Sequence, residues 1–264
     1  MEPAQERAAR IGLAAVRDRG YALGGSNALG MHGIGTRPSG DLDLCTNRGD
    51  IDFERTFDDL RQAYEAEGYQ VTLDQRGPQF AQLQITDPAG QSIGIDAIRD
   101  YRAQEPIETE VGPMLHRDDA VAAKMQGIYD RGAAKDFIDI QAAMAAGYSR
   151  GRLLELGDDK QVDGMDRPML TEQLDLATRL PDKDFADYGC PPEQIEGIRT
   201  TMTNWAAEIR ARDANPELDD NLRLAESGMA QAGQGRLVTG AGEAGRGHIS
   251  YYSGRHRDGP QATR

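Results

Sequence analysis

The sequence contains little cysteine and no long apolar segment. Its only cysteines, Cys45 and Cys190, lie far apart in unlike contexts, so we expect free thiols rather than a disulfide or a metal pair. No apolar run approaches the length of a membrane span, and the first residues lack the basic-then-apolar layout of a secretory signal. These absences predict a soluble cytoplasmic protein with no membrane partner.

Positive charge is also scarce. The 264 residues include 30 Lys and Arg against 44 Asp and Glu, a formal net charge of −14. A surface that binds nucleic acid by broad neutralisation of phosphates is normally basic, so an RNA substrate would have to be met by a local patch. Arginine supplies most of the cations, and the only lysines are Lys124, Lys135, Lys160 and Lys183.

A candidate anion site lies near the N-terminus. Residues 21–25 have the pattern of the end of a short strand, and residues 26–29 that of the first turn of a helix. Between them, Gly24 and Gly25 place backbone amides where they can bind a phosphate. Taken alone, two glycines before a helix more often mark only a tight turn.

Asp41 and Asp43 alternate with Leu42 and Leu44 shortly afterwards. The two-residue period of a strand puts both carboxylates on one face and both leucines on the other. Carboxylate oxygens suit Mg²⁺, which usually bridges them to substrate phosphates, so the two candidate sites together indicate a nucleoside triphosphate with a metal ion. A calcium loop is excluded because Cys45 stands where that loop requires Asp or Asn.

A third acidic residue follows a helical pattern at residues 51–68. It lies in the last of three β patterns, residues 91–98, where Asp96 stands alone on a side otherwise poor in charge. A lone carboxylate in an apolar strand is costly unless it is paired or bound to a metal. Beside the first two carboxylates, Asp96 is predicted to be a third metal ligand, with a solvated strand end as the alternative.

Two further helices are predicted between residues 116 and 146. Lys124 and Arg131 lie seven positions apart and share a face, as do Asp136 and Asp139, which lie three apart. One interpretation is an exposed ladder of ion pairs. The other is a functional cluster in which Lys124 faces the phosphates, with Asp139 as the preferred carboxylate because a helix start favours an acid at Asp136 anyway.

The order of these features resembles the nucleotidyltransferases of the polymerase-β superfamily, in which Gly-Ser precedes Asp-x-Asp and a third carboxylate follows. Within that superfamily the sequence is most similar to the AbiEii-type toxins, including the MenT group. The similarity covers about the first 145 residues. It rests on Gly-Gly-Ser-Asn-Ala-Leu, on Arg-Pro-Ser-Gly-Asp-Leu-Asp-Leu, and on a helical lysine followed by an arginine and Lys-Asp-x-x-Asp.

The resemblance implies an α+β fold with a polymerase-β-like nucleotidyltransferase core, a small mixed sheet with flanking helices, followed by a C-terminal helical region. We place the core at residues 1–113 and a helical domain that completes the active site at residues 114–232. Residues 233–264 are glycine-rich and without period, which predicts a disordered tail. Its basic and aromatic residues leave an RNA-contacting arm as the alternative.

The resemblance also implies a metal-dependent nucleotidyltransferase with an NTP as substrate. Asp41, Asp43 and Asp96 would bind Mg²⁺, or Mn²⁺ in its place, and Asp96 would act on the incoming hydroxyl. The expected catalytic residues are Asp41, Asp43, Asp96, Lys124 and Asp139. The expected nucleotide-binding residues are Gly25, Ser26, Arg37, Lys124 and Arg131.

For the acceptor, the resemblance implies a tRNA 3′ end, and for the biological role a toxin held in check by a separately encoded antitoxin protein. Two alternatives remain open. The first is a different acceptor. It is either a cationic small molecule such as an aminoglycoside-like antibiotic, which the acidic charge favours, or a protein hydroxyl. The chain could also be a non-catalytic nucleotide-binding module, although such a module has no need for three converging carboxylates.

Overall fold

A mixed seven-stranded sheet lies at the centre of the fold. The computed structural model describes residues 1–214. The end of the predicted helical domain, residues 215–232, and the tail predicted at residues 233–264 lie outside the described residues. The strands are β1 (Ala22–Leu23), β2 (Asp41–Thr46), β3 (Gln70–Gly77), β4 (Phe80–Thr86), β5 (Ser92–Arg99), β6 (Ile107–Thr109) and β7 (Gly112–Met114).

Helices flank the sheet and make up the C-terminal part of the described chain. They are α1 (Pro3–Ala15), α2 (Gly25–Met31), α3 (Phe53–Ala66), α4 (Arg117–Asp130), α5 (Ala134–Ala145), α6 (Arg150–Asp158), α7 (Arg167–Asp175), α8 (Asp182–Ala186) and α9 (Pro192–Ala214). Short 3₁₀ turns, Arg17–Arg19 and Leu176–Thr178, follow α1 and α7. The mixed sheet and the helical C-terminal region confirm the predicted α+β fold.

The strand order is β3-β4-β5-β2-β1-β7-β6. Strand β2 pairs in parallel with β5 and antiparallel with β1, and β1 pairs in parallel with β7. In a parallel pair, residues directly opposite each other point to the same side of the sheet. The β2–β5 pairing therefore decides which residues of β5 lie beside Asp41 and Asp43.

The hydrophobic core follows the period-two pattern of the strands. Leu42 and Leu44 on β2 are fully buried, as are Ile85 on β4 and Ile95 on β5. Helices α1 and α3 pack together, and the Tyr64 hydroxyl of α3 donates to the Ala8 carbonyl of α1 at 3.0 Å. The candidate carboxylates Asp41, Asp43 and Asp96 alternate with these core residues and are half-buried.

The structure agrees with most predicted elements and adds one. Helices α4 and α5 occupy the predicted positions, and α9 buries an apolar stripe: Ile198, Met202, Trp205 and Ile209. Both cysteines are free and buried, as expected. Strand β7 was not predicted, and the boundary placed after residue 113 falls within it, so the division into domains stays a prediction. None of the helices within residues 1–214 is long and apolar enough to cross a membrane.

Candidate active site

The turn from β1 into α2 lies directly against β2. The backbone N–H of Gly24 donates to the carbonyl of Asp43 at 2.7 Å. Gly25 has φ +60°, and a Cβ atom there would lie 1.7 Å from Oδ2 of Asp43. Both the backbone conformation and the close approach of the carboxylate therefore require glycine at position 25.

Three carboxylates lie on the same face of the central sheet. Asp41 and Asp43 alternate along β2, and Asp96 on β5 stands directly opposite Asp43. Burial, followed by the negative charges of Asp43 and Asp41, raises the pKa of Asp96 to about 7. Gln82 on β4 opposes this rise by donating a hydrogen bond to Oδ1 of Asp96 at 3.1 Å.

The two carboxylates of β2 lean in opposite directions. Asp43 leans towards Gly25, whereas Asp41 leans across β5, where a Cβ atom on Gly94 would lie 2.2 Å from its Oδ1 atom. As the side chains stand, no group of three His, Cys, Asp or Glu within residues 1–214 converges on one metal position. The donor set nevertheless suits a divalent cation, because the oxygens are hard ligands and their mutual repulsion opposes ionisation of Asp96.

A second cluster lies beside α2 and joins three parts of the chain. Its members are Ser26 on α2, Arg37 in the following loop, Lys124 on α4 and Asp139 on α5. Arg37 donates two hydrogen bonds to the Asp139 carboxylate, both at 3.0 Å, and Lys124 Nζ lies 3.0 Å from the same carboxylate. Ser26 donates to Asp139 at 2.9 Å and accepts from Lys124 at 3.1 Å and from Arg37.

This cluster is largely shielded from solvent. The side chains of Arg37 and Asp139 are each 6% exposed, and that of Lys124 is 10% exposed. Burial alone would raise the pKa of Asp139, but the charges of Lys124 and Arg37 outweigh it and lower the pKa to about 2. Asp139 is therefore ionised at neutral pH, and the cluster holds two cations against one carboxylate.

Arg131 and Asp136 form a separate ion pair. The Arg131 guanidinium donates two hydrogen bonds to the Asp136 carboxylate, at 2.9 and 2.7 Å. Asp136 is fully buried and Asp139 is almost fully buried. The interpretation of these residues as an exposed ladder of ion pairs is therefore wrong. The structure thus places Lys124 and Asp139 with Ser26 and Arg37, and places Arg131 against Asp136. The predicted role of Arg131 in nucleotide binding stays a prediction.

Some residues around the site were not singled out from the sequence. Gly94 accommodates Asp41, Gln82 binds Asp96, and the ring of Tyr188 lies over the Arg37 guanidinium with 4.8 Å between Cζ and the ring centroid. Lys135 of α5 lowers the pKa of Asp96 through its charge. Only Lys135 carried a signal in the sequence, because it belongs to the Lys-Asp-x-x-Asp pattern.

The fold resembles those of solved structures of low sequence identity. MenT4, a nucleotidyltransferase toxin from Mycobacterium tuberculosis H37Rv, superposes with a TM-score of 0.51 at 15% identity, covering 84% of this chain and 92% of that chain. JHP933 from Helicobacter pylori gives a TM-score of 0.49 at 15% identity, covering 84% of this chain and 97% of that chain. The likeness to MenT4 shows the fold.

The comparison with protein families goes further than the fold. No match is found among curated proteins. The family model described as "Nucleotidyl transferase AbiEii toxin, Type IV TA system" matches residues 13–164, which is more than half of the chain and includes every predicted site residue. The chain therefore belongs to the AbiEii family of nucleotidyltransferase toxins of type IV toxin–antitoxin systems.

Proposed function

We propose that this nucleotidyltransferase toxin uses Mg²⁺ to transfer a nucleoside monophosphate from an NTP to a hydroxyl at the 3′ end of tRNA. The observation that carries the proposal is the placement of Asp41, Asp43 and Asp96 on one sheet face. Beside them, Lys124 and Arg37 bring two cations together, which suits a triphosphate.

Asp41, Asp43 and Asp96 would hold the metal ion, Mg²⁺ or Mn²⁺. When bound, such an ion offsets phosphate charge and lowers the pKa of a bound hydroxyl. Asp96 is the carboxylate placed to accept the proton of the acceptor hydroxyl, because it stands on β5 directly opposite Asp43 and apart from the two carboxylates of β2. The acceptor oxygen forms a bond to the α-phosphorus, and the bond from that phosphorus to pyrophosphate breaks.

Lys124 and Arg37 supply positive charge to the triphosphate, whose leaving part becomes more negative as pyrophosphate departs. Beside these two cations, Gly25 contributes its backbone and Ser26 its hydroxyl to the site for the triphosphate. Asp139 acts through these groups as a positioning residue, since Ser26, Arg37 and Lys124 all bind its carboxylate.

The test is to incubate the protein with Mg²⁺, total tRNA and each labelled NTP in turn. We expect label on tRNA from the natural chain and none from Asp43→Asn, which keeps the size of the side chain and removes its charge. Asp58→Asn is the matched control, because Asp58 is an exposed residue of α3.

If the natural chain and Asp58→Asn label tRNA while Asp43→Asn does not, the chemistry and the acceptor are both established. Label on a cationic small molecule or on a protein, with none on tRNA, would reject the tRNA acceptor and retain the transferase chemistry. Label on tRNA from Asp43→Asn at the natural rate would reject the proposed role of Asp43.

A further inference from the structure

The face of the sheet that carries the three carboxylates continues past them onto β4 and β3. Opposite Asp96 stands Gln82, and opposite Gln82 stands Gln75 on β3. In the next row, Gly94 stands opposite Gln84, which stands opposite Thr72. We call Thr72, Gln75, Phe80, Gln82 and Gln84 the amide face.

The amide face is open to solvent, whereas the other side of β4 is buried. Thr72 and Gln75 are exposed and Gln84 is half-buried, whereas Leu83 and Ile85, the alternate residues of β4, belong to the core. Among the side chains that the structure describes, those of Gln75 and Gln84 make no hydrogen bond. Their donors and acceptors are available to a bound molecule.

Phe80 adds an aromatic ring to this face. It lies on the same side of β4 as Gln82, is half-buried, and is diagonal to Asp96, a placement that separates the two residues by about 7–8 Å. The ring leans across β3, because a Cβ atom on Gly77 would lie 2.5 Å from its Cε1 atom. Gly77 thus leaves the room in which the ring lies over the strand.

The amide face carries no charge, although the chain as a whole has a net charge of −14. A site for a polycationic small molecule would be expected to place carboxylates here, and none of the five residues of the amide face carries one; the nearest on β3 is Asp74, at the bulge between Leu73 and Gln75. A sheet face with an aromatic ring and neutral amides instead has the composition that binds unstacked bases, by stacking and by hydrogen bonds to their edges.

We propose that the amide face binds the unpaired terminal nucleotides of the RNA acceptor. One base stacks on Phe80, and the amides of Gln75 and Gln84 bind base edges, so that the terminal hydroxyl lies at Asp96. Gln82 has a different role, since its amide already orients Asp96. The proposal rests on the proposed function and adds to it how the acceptor is recognised: by neutral groups rather than by a basic patch.

The test compares KM for tRNA with KM for the NTP in two pairs of variants. Phe80→Leu removes the aromatic ring. Phe57→Leu is its control and makes the same change at a half-buried position of α3. We expect Phe80→Leu to raise KM for tRNA roughly tenfold, the effect of losing one stacked base, with KM for the NTP unchanged. Phe80→Tyr, which retains a ring, should keep KM for tRNA close to its natural value.

Gln75→Glu places a negative charge on the amide face, and Gln62→Glu makes the same change on an exposed position of α3. Gln75→Glu should raise KM for tRNA severalfold at low salt, and added salt should reduce the difference, because screening weakens the repulsion of phosphates. Gln62→Glu should leave both constants unchanged.

If the natural chain labels tRNA but Phe80→Leu and Gln75→Glu keep its KM for tRNA, the amide face is not the acceptor site, and the proposed function stands. If the natural chain labels no RNA, the proposed acceptor fails and this inference fails with it. A fall in KM for a cationic acceptor in Gln75→Glu would likewise overturn the inference in favour of a small-molecule substrate.

Discussion

At the scale of single residues, Gly94 is a position where one methyl group decides the geometry of the site. Its φ is not positive, so alanine fits the backbone, but the added Cβ would lie 2.2 Å from Oδ1 of Asp41. Asp41 would have to turn away from β5. Displacements of about 1 Å among reacting groups cost up to roughly a hundredfold in rate.

We therefore expect Gly94→Ala to lower kcat about 10- to 100-fold and to raise the Mg²⁺ concentration needed for half-maximal activity. The thermal midpoint should change little. Gly40→Ala is the control, since Gly40 precedes Asp41 and a Cβ there would meet nothing within 4 Å. Unchanged Mg²⁺ dependence in Gly94→Ala would show that the position of Asp41 does not matter for metal binding.

Asp139 is the residue on which the buried cations depend. Asp139→Asn leaves Lys124 and Arg37 buried without a counter-charge, and breaking a buried ion pair in this way costs about 3–5 kcal/mol. We expect the free energy of unfolding, measured with urea, to fall by about that amount. Activity should fall as well, because neither cation is then held in place.

The matched control is Asp187→Asn, which makes the same change in the exposed pair with Lys183. An exposed pair of this kind contributes little, about 0–1 kcal/mol. Equal losses of stability in the two variants would contradict the central role given to Asp139.

At the scale of elements, a contact links the helical region to the nucleotide site. Tyr188 follows α8, and its ring lies over Arg37, whose guanidinium also binds Asp139. A buried cation–π contact contributes about 1–2 kcal/mol. We expect Tyr188→Leu to raise KM for the NTP about fivefold, and Tyr188→Phe, which keeps the ring, to raise it less. A rise in Tyr188→Phe as large as that in Tyr188→Leu would point to the hydroxyl instead.

The elements themselves were mostly predictable, since apolar residues repeat with a period of two in β2, β4 and β5 and close to 3.6 in α9. Strand β7 escaped prediction because Gly112–Met114 is too short to show any alternation. The role of Asp139 was predicted from its place in a motif. The contacts of Gly94 and Tyr188 were not, because they depend on strand register and on packing between segments distant in sequence.

At the scale of the whole molecule, the three carboxylates make stability depend on pH. The pKa of Asp96 is about 7 in the folded chain against an ordinary value of 3.8. Between these values the folded chain retains a proton that the unfolded chain has released. The free energy of unfolding therefore falls as the pH rises from about 4 to about 7. Above that range the contribution of Asp96 no longer changes with pH.

For the metal-free protein we expect a lower thermal midpoint at pH 8 than at pH 5, with a loss of about 2–3 kcal/mol from Asp96. Asp96→Asn should lack this part of the loss, and Mg²⁺ at pH 8 should recover it in the natural chain, because an ion stabilises the ionised carboxylates. The same decline with pH in Asp96→Asn as in the natural chain would assign the effect to other groups.

The hydrogen bond from Ser26 to Asp139 joins residues 113 positions apart. A ribosome adds about 5–20 residues per second, so many seconds pass between the synthesis of these two residues. A nascent chain that has emerged only as far as β5 already carries all three carboxylates, but it lacks Lys124 and Asp139. If Lys124 and Asp139 act as proposed, we expect the toxin to gain full activity only late in its own synthesis, after α5 has left the exit tunnel.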